Sequence, residues 1–341
     1  MLFSEKKLID FTKVSDSPID DFVIENGYVS YKGIQEVVKI PGFINGQVVK
    51  GISRGAFEES DVLAVSFPDS VIELCDSAFY SCIDLEQIDF NEGLIKVGKH
   101  CFQSCESLNS VSFPKSLKII ESYAFDECVQ LKEILFNGNI EHIGAYAFSE
   151  TRVVSVSLPE GLTFLGNCLF SNCDSLIYVD LPSTLQHIGA HSFSYCQKLR
   201  YILIPENVES IGPNAFEECS NIEVVILPKK LPRFTENSFS GMPYVDNLVS
   251  IHSKKRNVIV ESNQQYFNDA TNNILTILSQ LNLTAETSKS TSIKNDVVHK
   301  YPLKDVVPAM KYIRLKEQEF NEFYFNFRKD TCSELGIPMN Q

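Results

Sequence analysis

At 341 residues, 44% of them apolar, the chain is longer than one ordinary globular core, so it forms either two domains or an elongated array. A net charge of −14 argues against binding a phosphate backbone, which needs clustered Lys and Arg to release counterions, so no nucleic-acid partner is expected. Phe is abundant at 24 and Trp absent, and no apolar run approaches the ~18–20 residues that cross a bilayer, which predicts a soluble chain without membrane insertion.

The opening residues, MLFSEKKLIDFTKVSDS, carry charges from Glu5 onward and hold neither a continuous apolar stretch nor a small-residue cleavage site. A secretory signal is therefore not expected, and the default setting is cytoplasmic and reducing, with surface display by an unconventional route left open. The acidic stretch SDSPIDD, Ser15 to Asp21, lacks the ligand spacing of an EF-hand and reads as a solvated turn. FVIENGYVSY, Phe22 to Tyr31, alternates around Asn26-Gly27, the two-residue hairpin signal, and is expected to seal the first coil of a repeat array.

Beyond this hairpin one phrase is repeated: LPSTLQHIGAHSFSYCQKLRYILIP, from Leu181, is nearly restated as IPENVESIGPNAFEECSNIEVVILP, from Ile204. Its anchors are Phe57, Phe79, Phe102, Phe125, Phe148, Phe170, Phe193, Phe216 and Phe239, at successive spacings of 22, 23, 23, 23, 22, 23, 23 and 23 residues. Apolar residues recur at +6, +9 and +11 from an anchor, as in Leu199, Ile202 and Ile204, and the +9/+11 pair has the period of a strand with those side chains inward. Pro commonly follows at +12, as at Pro114, Pro182, Pro205 and Pro228, ending the strand. One unit has about five large apolar side chains worth ~1.5–3 kcal/mol each, too little to order it alone, so the units must stack. Gly98, Gly144, Gly166, Gly189 and Gly212, four before their Phe, suggest a tight turn with positive φ. Ala78, Ala124, Ala147 and Ala215, just before Phe, would let adjacent coils approach closely.

Six of the ten cysteines stand three residues after a Phe: Cys82, Cys105, Cys128, Cys173, Cys196 and Cys219. Strands ~4.7–4.9 Å apart suit a reduced, buried ladder better than disulfides, whose Cβ atoms lie at ~3.5–4.5 Å. Cys101 and Cys105 have zinc-ligand spacing once, but no second pair faces them, so no metal is expected. The two short units, beginning at Phe57 and Phe148, have Ser60 and Thr151 in place of Cys, which suggests that the shorter turn has no room for the thiol. His142 and His187 share one column and His100 and His191 another, alongside varied residues such as Lys96 and Asn214, which suggests exposed, non-catalytic positions. The phosphate-loop, dinucleotide-fold, metalloprotease and nucleophile-elbow motifs are absent, so neither an enzyme nor a cofactor is expected.

With these columns in view, LPSTLQHIGAHSFSYCQKLRYI resembles the repeat of BspA-like leucine-rich repeat proteins, also called the Treponema pallidum type, over about Ile40 to Leu231. The opening IPGFINGQVVKGISRGAF, Ile40 to Phe57, is similar to the way such arrays begin. VIVESNQQYFNDATNNIL, Val258 to Leu275, is similar to irregular segments that interrupt or follow them. The resemblance implies a curved leucine-rich repeat solenoid used for binding, in a family whose members act in adhesion on bacterial or protist surfaces.

If binding is the function, the strand positions at +8 and +10 should carry it, because they alternate outward between the buried +9 and +11. In the first half these columns are polar and small, including Ser66, Gln87, Asp89, Ser110, Ser112 and Glu133. The second half gathers Tyr178, Tyr201, Leu203, Val224 and Ile226, joined by Ile177 at +7, into an apolar patch suited to a protein partner. After Phe239 the pattern decays, and LTAETSKSTSIKND, Leu283 to Asp296, reads as a polar linker. Met310, Ile313, Phe320, Phe323, Tyr324 and Phe327 then share a helical face beyond Pro308. This tail is open to capping the array, binding a partner or remaining disordered.

The sequence thus reads as an N-terminal segment and capping hairpin over 1–39, a repeat array over 40–251, an irregular cap and linker over 252–299, and a C-terminal helical tail over 300–341. The function expected is a non-enzymatic protein-binding scaffold. The alternative is an assembly subunit that self-associates through its C-terminal helix.

Overall fold

A computed structural model describes residues 8–222, 224–226, 232–235 and 237–241, with two further short strands at 286–287 and 313–314. The chain divides into two compact units, Met1–Val153 and Val154–Gln341. In the first, the strands in chain order are β1 (Phe22–Glu25), β2 (Tyr28–Tyr31), β3 (Val37–Lys39), β4 (Phe43–Ile44), β5 (Gln47–Val48), β6 (Gly51–Ile52), β7 (Ala64–Ser66), β8 (Glu73–Leu74), β9 (Gln87–Asp89), β10 (Lys96–Val97), β11 (Ser110–Phe113), β12 (Ile119–Ile120), β13 (Glu133–Phe136) and β14 (His142–Ile143). In the second they are β15 (Ser155–Ser157), β16 (Phe164–Leu165), β17 (Tyr178–Asp180), β18 (His187–Ile188), β19 (Tyr201–Leu203), β20 (Ser210–Ile211), β21 (Val224–Ile226) and β22 (Arg233–Phe234), followed by β23 (Glu286–Thr287) and β24 (Ile313–Arg314).

Each repeat gives two strands to two stacks, so each unit is a β-solenoid. Its first sheet comprises β3-β7-β9 and β11-β13 in one unit and β15-β17-β19-β21 in the other; its second comprises β1-β2-β6-β8-β10-β12-β14 and β16-β18-β20-β22. Successive coils pair in parallel and residue for residue, as Ser110 with Glu133, or Tyr201 with Val224. The hairpin forms as expected: Asn26 and Gly27 take φ of 54° and 88°, and β2 pairs in parallel with β6, joining the cap to the first coil. Tyr31 stacks on Phe57 at 4.6 Å, so the cap also extends the aromatic column.

That column is the core of the first unit. Phe57, Phe79, Phe102, Phe125 and Phe148 are buried with rings near parallel, at centroid spacings of 4.6, 5.0, 5.1 and 5.5 Å. A second ladder, Phe67, Phe90, Phe113 and Phe136, occupies the last inward strand position and meets the first edge-on, as Phe113 does Phe125. In the second unit Phe170, Phe193, Phe216 and Phe239 stack at 5.8, 5.3 and 5.3 Å, while Leu181 and Ile204 hold the inner strand position.

A further set of rungs crosses the Phe turns. The residues two before and two after Phe take positive φ without being glycine, including Ser77, Ser81, His100, Ser104, Tyr123 and Glu127. This alternation directs the N–H groups at −2, 0 and +2 along the stack: Ser77, Phe79 and Ser81 donate to the carbonyls of Lys99, Cys101 and Gln103 at 2.8, 2.8 and 2.9 Å. Three inter-coil hydrogen bonds offset the ~1–2 kcal/mol that each left-handed residue costs.

The glycines four before Phe therefore play another part than the one expected. The left-handed corners lie at −2 and +2; the −4 glycines sit where neighbouring backbones nearly touch. A Cβ on Gly98 would lie 2.6 Å from the Cys75 carbonyl carbon, and one on Gly144 would lie 2.4 Å from the Ser122 nitrogen.

The nine described cysteines carry free thiols, eight of them buried. Each thiol in the Phe+3 column for which a bond is resolved donates to the preceding anchor's carbonyl: Cys82 to Phe57 at 2.9 Å, Cys105 to Phe79 at 3.3 Å, Cys128 to Phe102 at 3.1 Å, Cys196 to Phe170 at 3.1 Å and Cys219 to Phe193 at 3.0 Å. The short coils keep this position filled. Thr151 is 2% exposed and donates to its own Phe148 carbonyl at 3.0 Å, so a hydroxyl replaces the thiol inside the shorter turn.

The expected tail helix and the approach to it lie outside the described residues, as does Cys332. The exception is Ile313–Arg314, which is extended and pairs antiparallel with Glu286–Thr287.

Candidate binding face

The outward face of the first sheet is made by side chains that alternate with the buried Val65, Val111, Ile134, Val156, Val179 and Ile202. In the first unit part of it is open: Asp89, Ser110, Ser112 and Glu133 are exposed. The part formed by β3, β7 and β9 is crossed by an N-terminal strap, residues 9–17, which leaves Ala64 and Ser66 1% and 7% exposed. Ser17, expected within a solvated turn, is buried and donates its N–H to the Lys39 carbonyl at 2.8 Å.

In the second unit the sequence-derived patch is brought into register but is not bare. Tyr178 pairs with Tyr201 and Tyr201 with Val224, while Leu203 pairs with Ile226, so the outward residues form two adjacent rows. Tyr178 and Leu203 are 1% and 3% exposed, Asp180, in the same column as Leu203, is 1% exposed, and Ile177 is half-buried. Alternation along a strand gives the face a side chain takes and not its exposure, and both Tyr178 and Leu203 are buried. Asp180 accepts from Ser157 Oγ at 2.7 Å and from the Tyr178 hydroxyl at 3.4 Å, which ties the polar floor of the patch to the neighbouring strand.

One His column, His142 and His187, opens the short strands β14 and β18, and the other, His100 and His191, lies at the left-handed corners before Phe. His100 stacks on Tyr123 at 4.8 Å, which stacks on Tyr146 at 4.6 Å; His187 Nδ1 lies 2.9 Å from Ser210 Oγ, His191 faces Glu217, and His142 is exposed. Among the described residues no group of three or more His, Cys, Asp or Glu side chains could hold a metal ion. No described helix is long and apolar enough to cross a membrane.

One titrating group departs from the pattern. Asp126, 7% exposed, has its carboxyl pushed up to about 6, chiefly by burial, with hydrogen bonds from Ser149 and Gln103 acting the other way and Glu127 and Glu150 adding to the rise. Gln103 Nε2 donates to Asp126 Oδ2 at 2.9 Å, and Gln103 Oε1 lies 2.6 Å from His100 Nδ1. A folded pKa above the ordinary 3.8 means that the folded state binds more protons between about pH 4 and 6, so stability falls as pH rises through that window. Asp126→Asn should therefore leave stability unchanged below pH 4 and raise it by about 1–2 kcal/mol above pH 6, after discounting for solvent screening. Urea melts across pH 3.5–7.5 check this; an equal effect at every pH would contradict it.

A family model described as BspA type leucine rich repeat region matches the chain in six copies, over residues 50–177 and 165–290. Similar solved structures include the Treponema pallidum leucine-rich repeat protein, 22% identical, covering 71% of this chain and 96% of that one with a TM-score of 0.45. A leucine-rich cell surface protein from Faecalibacterium prausnitzii is 17% identical, with coverages of 64% and 90% and a TM-score of 0.30. The pneumococcal vaccine antigen PcpA is 18% identical, with coverages of 66% and 78% and a TM-score of 0.39. Comparison with curated proteins gives no match. With most of its length matched by the repeat model, and with stacked coils built on the Phe, Cys and glycine columns, the chain belongs to the BspA-type leucine-rich repeat family.

Proposed function

We infer that this chain is a non-enzymatic protein-binding scaffold whose partner packs on the outward face of β17, β19 and β21, through Ile177, Tyr178, Tyr201, Leu203, Val224 and Ile226. The observation that supports this reading is the difference between equivalent positions. Ser110, Glu133 and Ser112 are exposed, whereas Tyr178 and Leu203, at the same points of their coils, are excluded from solvent. An apolar version of the face suits a protein partner packed against it. Tyrosine suits this role because it buries a large rigid surface at little entropic cost. The finer reading, adhesion or host interaction, follows from the family alone. Assembly through residues 300–341 is the alternative, and light scattering on the full chain separates the two.

The Tyr201→Ser, Leu203→Ser double variant tests the face. It should keep the circular dichroism and cooperative unfolding of the parent while losing a partner that the parent captures in side-by-side pull-downs. Equal capture by both chains would contradict the assignment. Unchanged capture with a large fall in melting temperature would place these side chains in the interior.

A further inference from the structure

The strap over β3, β7 and β9 is bound as a peptide would be. Ile9 donates its backbone N–H to Gln87 Oε1 at 2.8 Å, and Gln87 Nε2 donates to the Ile9 carbonyl at 3.0 Å. A carboxamide that takes both backbone groups of one residue recognises main chain without regard to its side chain. At the other end Lys39 donates its backbone N–H to Ser17 Oγ at 3.1 Å and its Nζ to the Val14 carbonyl at 3.0 Å, and pairs with Asp16 at 3.6 Å. Phe11 lies between these two anchors in sequence, is 6% exposed and begins a 3-10 turn, Phe11–Lys13. On β7, between β3 and β9, the outward residues are Ala64 and Ser66, both buried and small enough to leave room for a ring above the sheet.

We propose that this face is a peptide-binding groove that the chain's own strap fills, and that its ligand in trans is a segment of another protein with an aromatic residue two positions after the one paired to Gln87, a single 3-10 turn beginning at that aromatic, and a carboxylate five positions beyond it. The three elements are separate: Gln87 reads backbone, the hollow over Ala64 and Ser66 reads the ring, and Lys39 reads a carbonyl and a carboxylate. The groove does not end with the strap, because Ser110, Ser112 and Glu133 continue the face and are open. The proposal concerns a different sheet from the face assigned to the partner of β17, β19 and β21 and does not rest on that assignment.

A tethered strap competes at an effective concentration of the order of mM, so an added peptide binds the parent weakly until the strap is loosened. The test uses a fluorescein-labelled peptide with the sequence of residues 8–18, titrated by fluorescence polarisation against the full-length chain and its full-length Phe11→Ala variant. The variant should bind at least about 10-fold more tightly than the parent, with Gln87→Ala in the variant reversing that gain and a peptide whose Phe is replaced by Ala binding neither chain. If Phe11→Ala fails to fold, Ile9→Pro serves instead, since it removes the N–H that Gln87 accepts and leaves every sheet residue in place; the same gain is expected. Equal binding by the parent and the loosened chain would overturn the proposal. So would no binding by a folded, loosened chain, or a doubled mass without peptide uptake, which would mean that the strap is traded between copies.

Discussion

Replacing Phe125 by Ala should cost ~3–5 kcal/mol, because the cavity it opens is bordered on three sides. Its ring is fully buried between Phe102 at 5.1 Å and Phe148 at 5.5 Å, with the Phe113 ring edge-on at 5.5 Å. In a solenoid each coil is held by its neighbours, so the loss is shared with the coils on both sides. Phe239→Ala should cost less: in the last described coil, that ring stacks on Phe216 at 5.3 Å and meets Phe234 edge-on. Guanidinium melts of both variants give the comparison, and equal losses would contradict stacking as the source of stability.

Gly144→Ala should have the second largest effect, about 2–3 kcal/mol, through overpacking and not through φ. The added methyl would lie 2.4 Å from the Ser122 nitrogen and 2.7 Å from the Glu121 carbonyl carbon, both backbone atoms that cannot swing aside. Gly46 provides the contrast, since its φ is +77° but nothing lies within 4 Å of an added Cβ. Gly46→Ala should therefore cost about 1 kcal/mol, the ordinary strain of a left-handed alanine. A larger loss at Gly46 than at Gly144 in thermal melts would show that conformation, and not contact between coils, governs these glycines.

These two residues also mark how far the sequence could be read. The Phe column was legible because its spacing repeats, and Asn26-Gly27 because a two-residue turn between alternating strands has few other uses. Gly144 was legible as a constraint but not as its kind, since positive φ and close approach both select glycine and only the neighbouring coil tells them apart. Tyr31 escaped the period search because it stands 26 residues before Phe57 in a hairpin instead of a coil. The strap left little trace: Gln87 binds backbone, Ala64 and Ser66 contribute by being small, and neither property forms a motif. Periodicity put Tyr178 and Leu203 in columns that alternate with the buried Val179 and Ile202, but it carries no information about how far solvent reaches them.

The stacked coils are closed from within by a column of reduced, buried thiols on the preceding coil's carbonyls. Burial pushes the Cys82 thiol up to about 11 and raises those of Cys101, Cys105, Cys128, Cys196 and Cys219 further, so none of them supplies thiolate at neutral pH. Free-thiol titration of the full chain without reductant, before and after denaturation, tests this most directly. Few reactive thiols are expected in the native chain and nearly all ten after unfolding. A denatured count several short of that, or prompt reaction of the Cys column in the native chain, would contradict it.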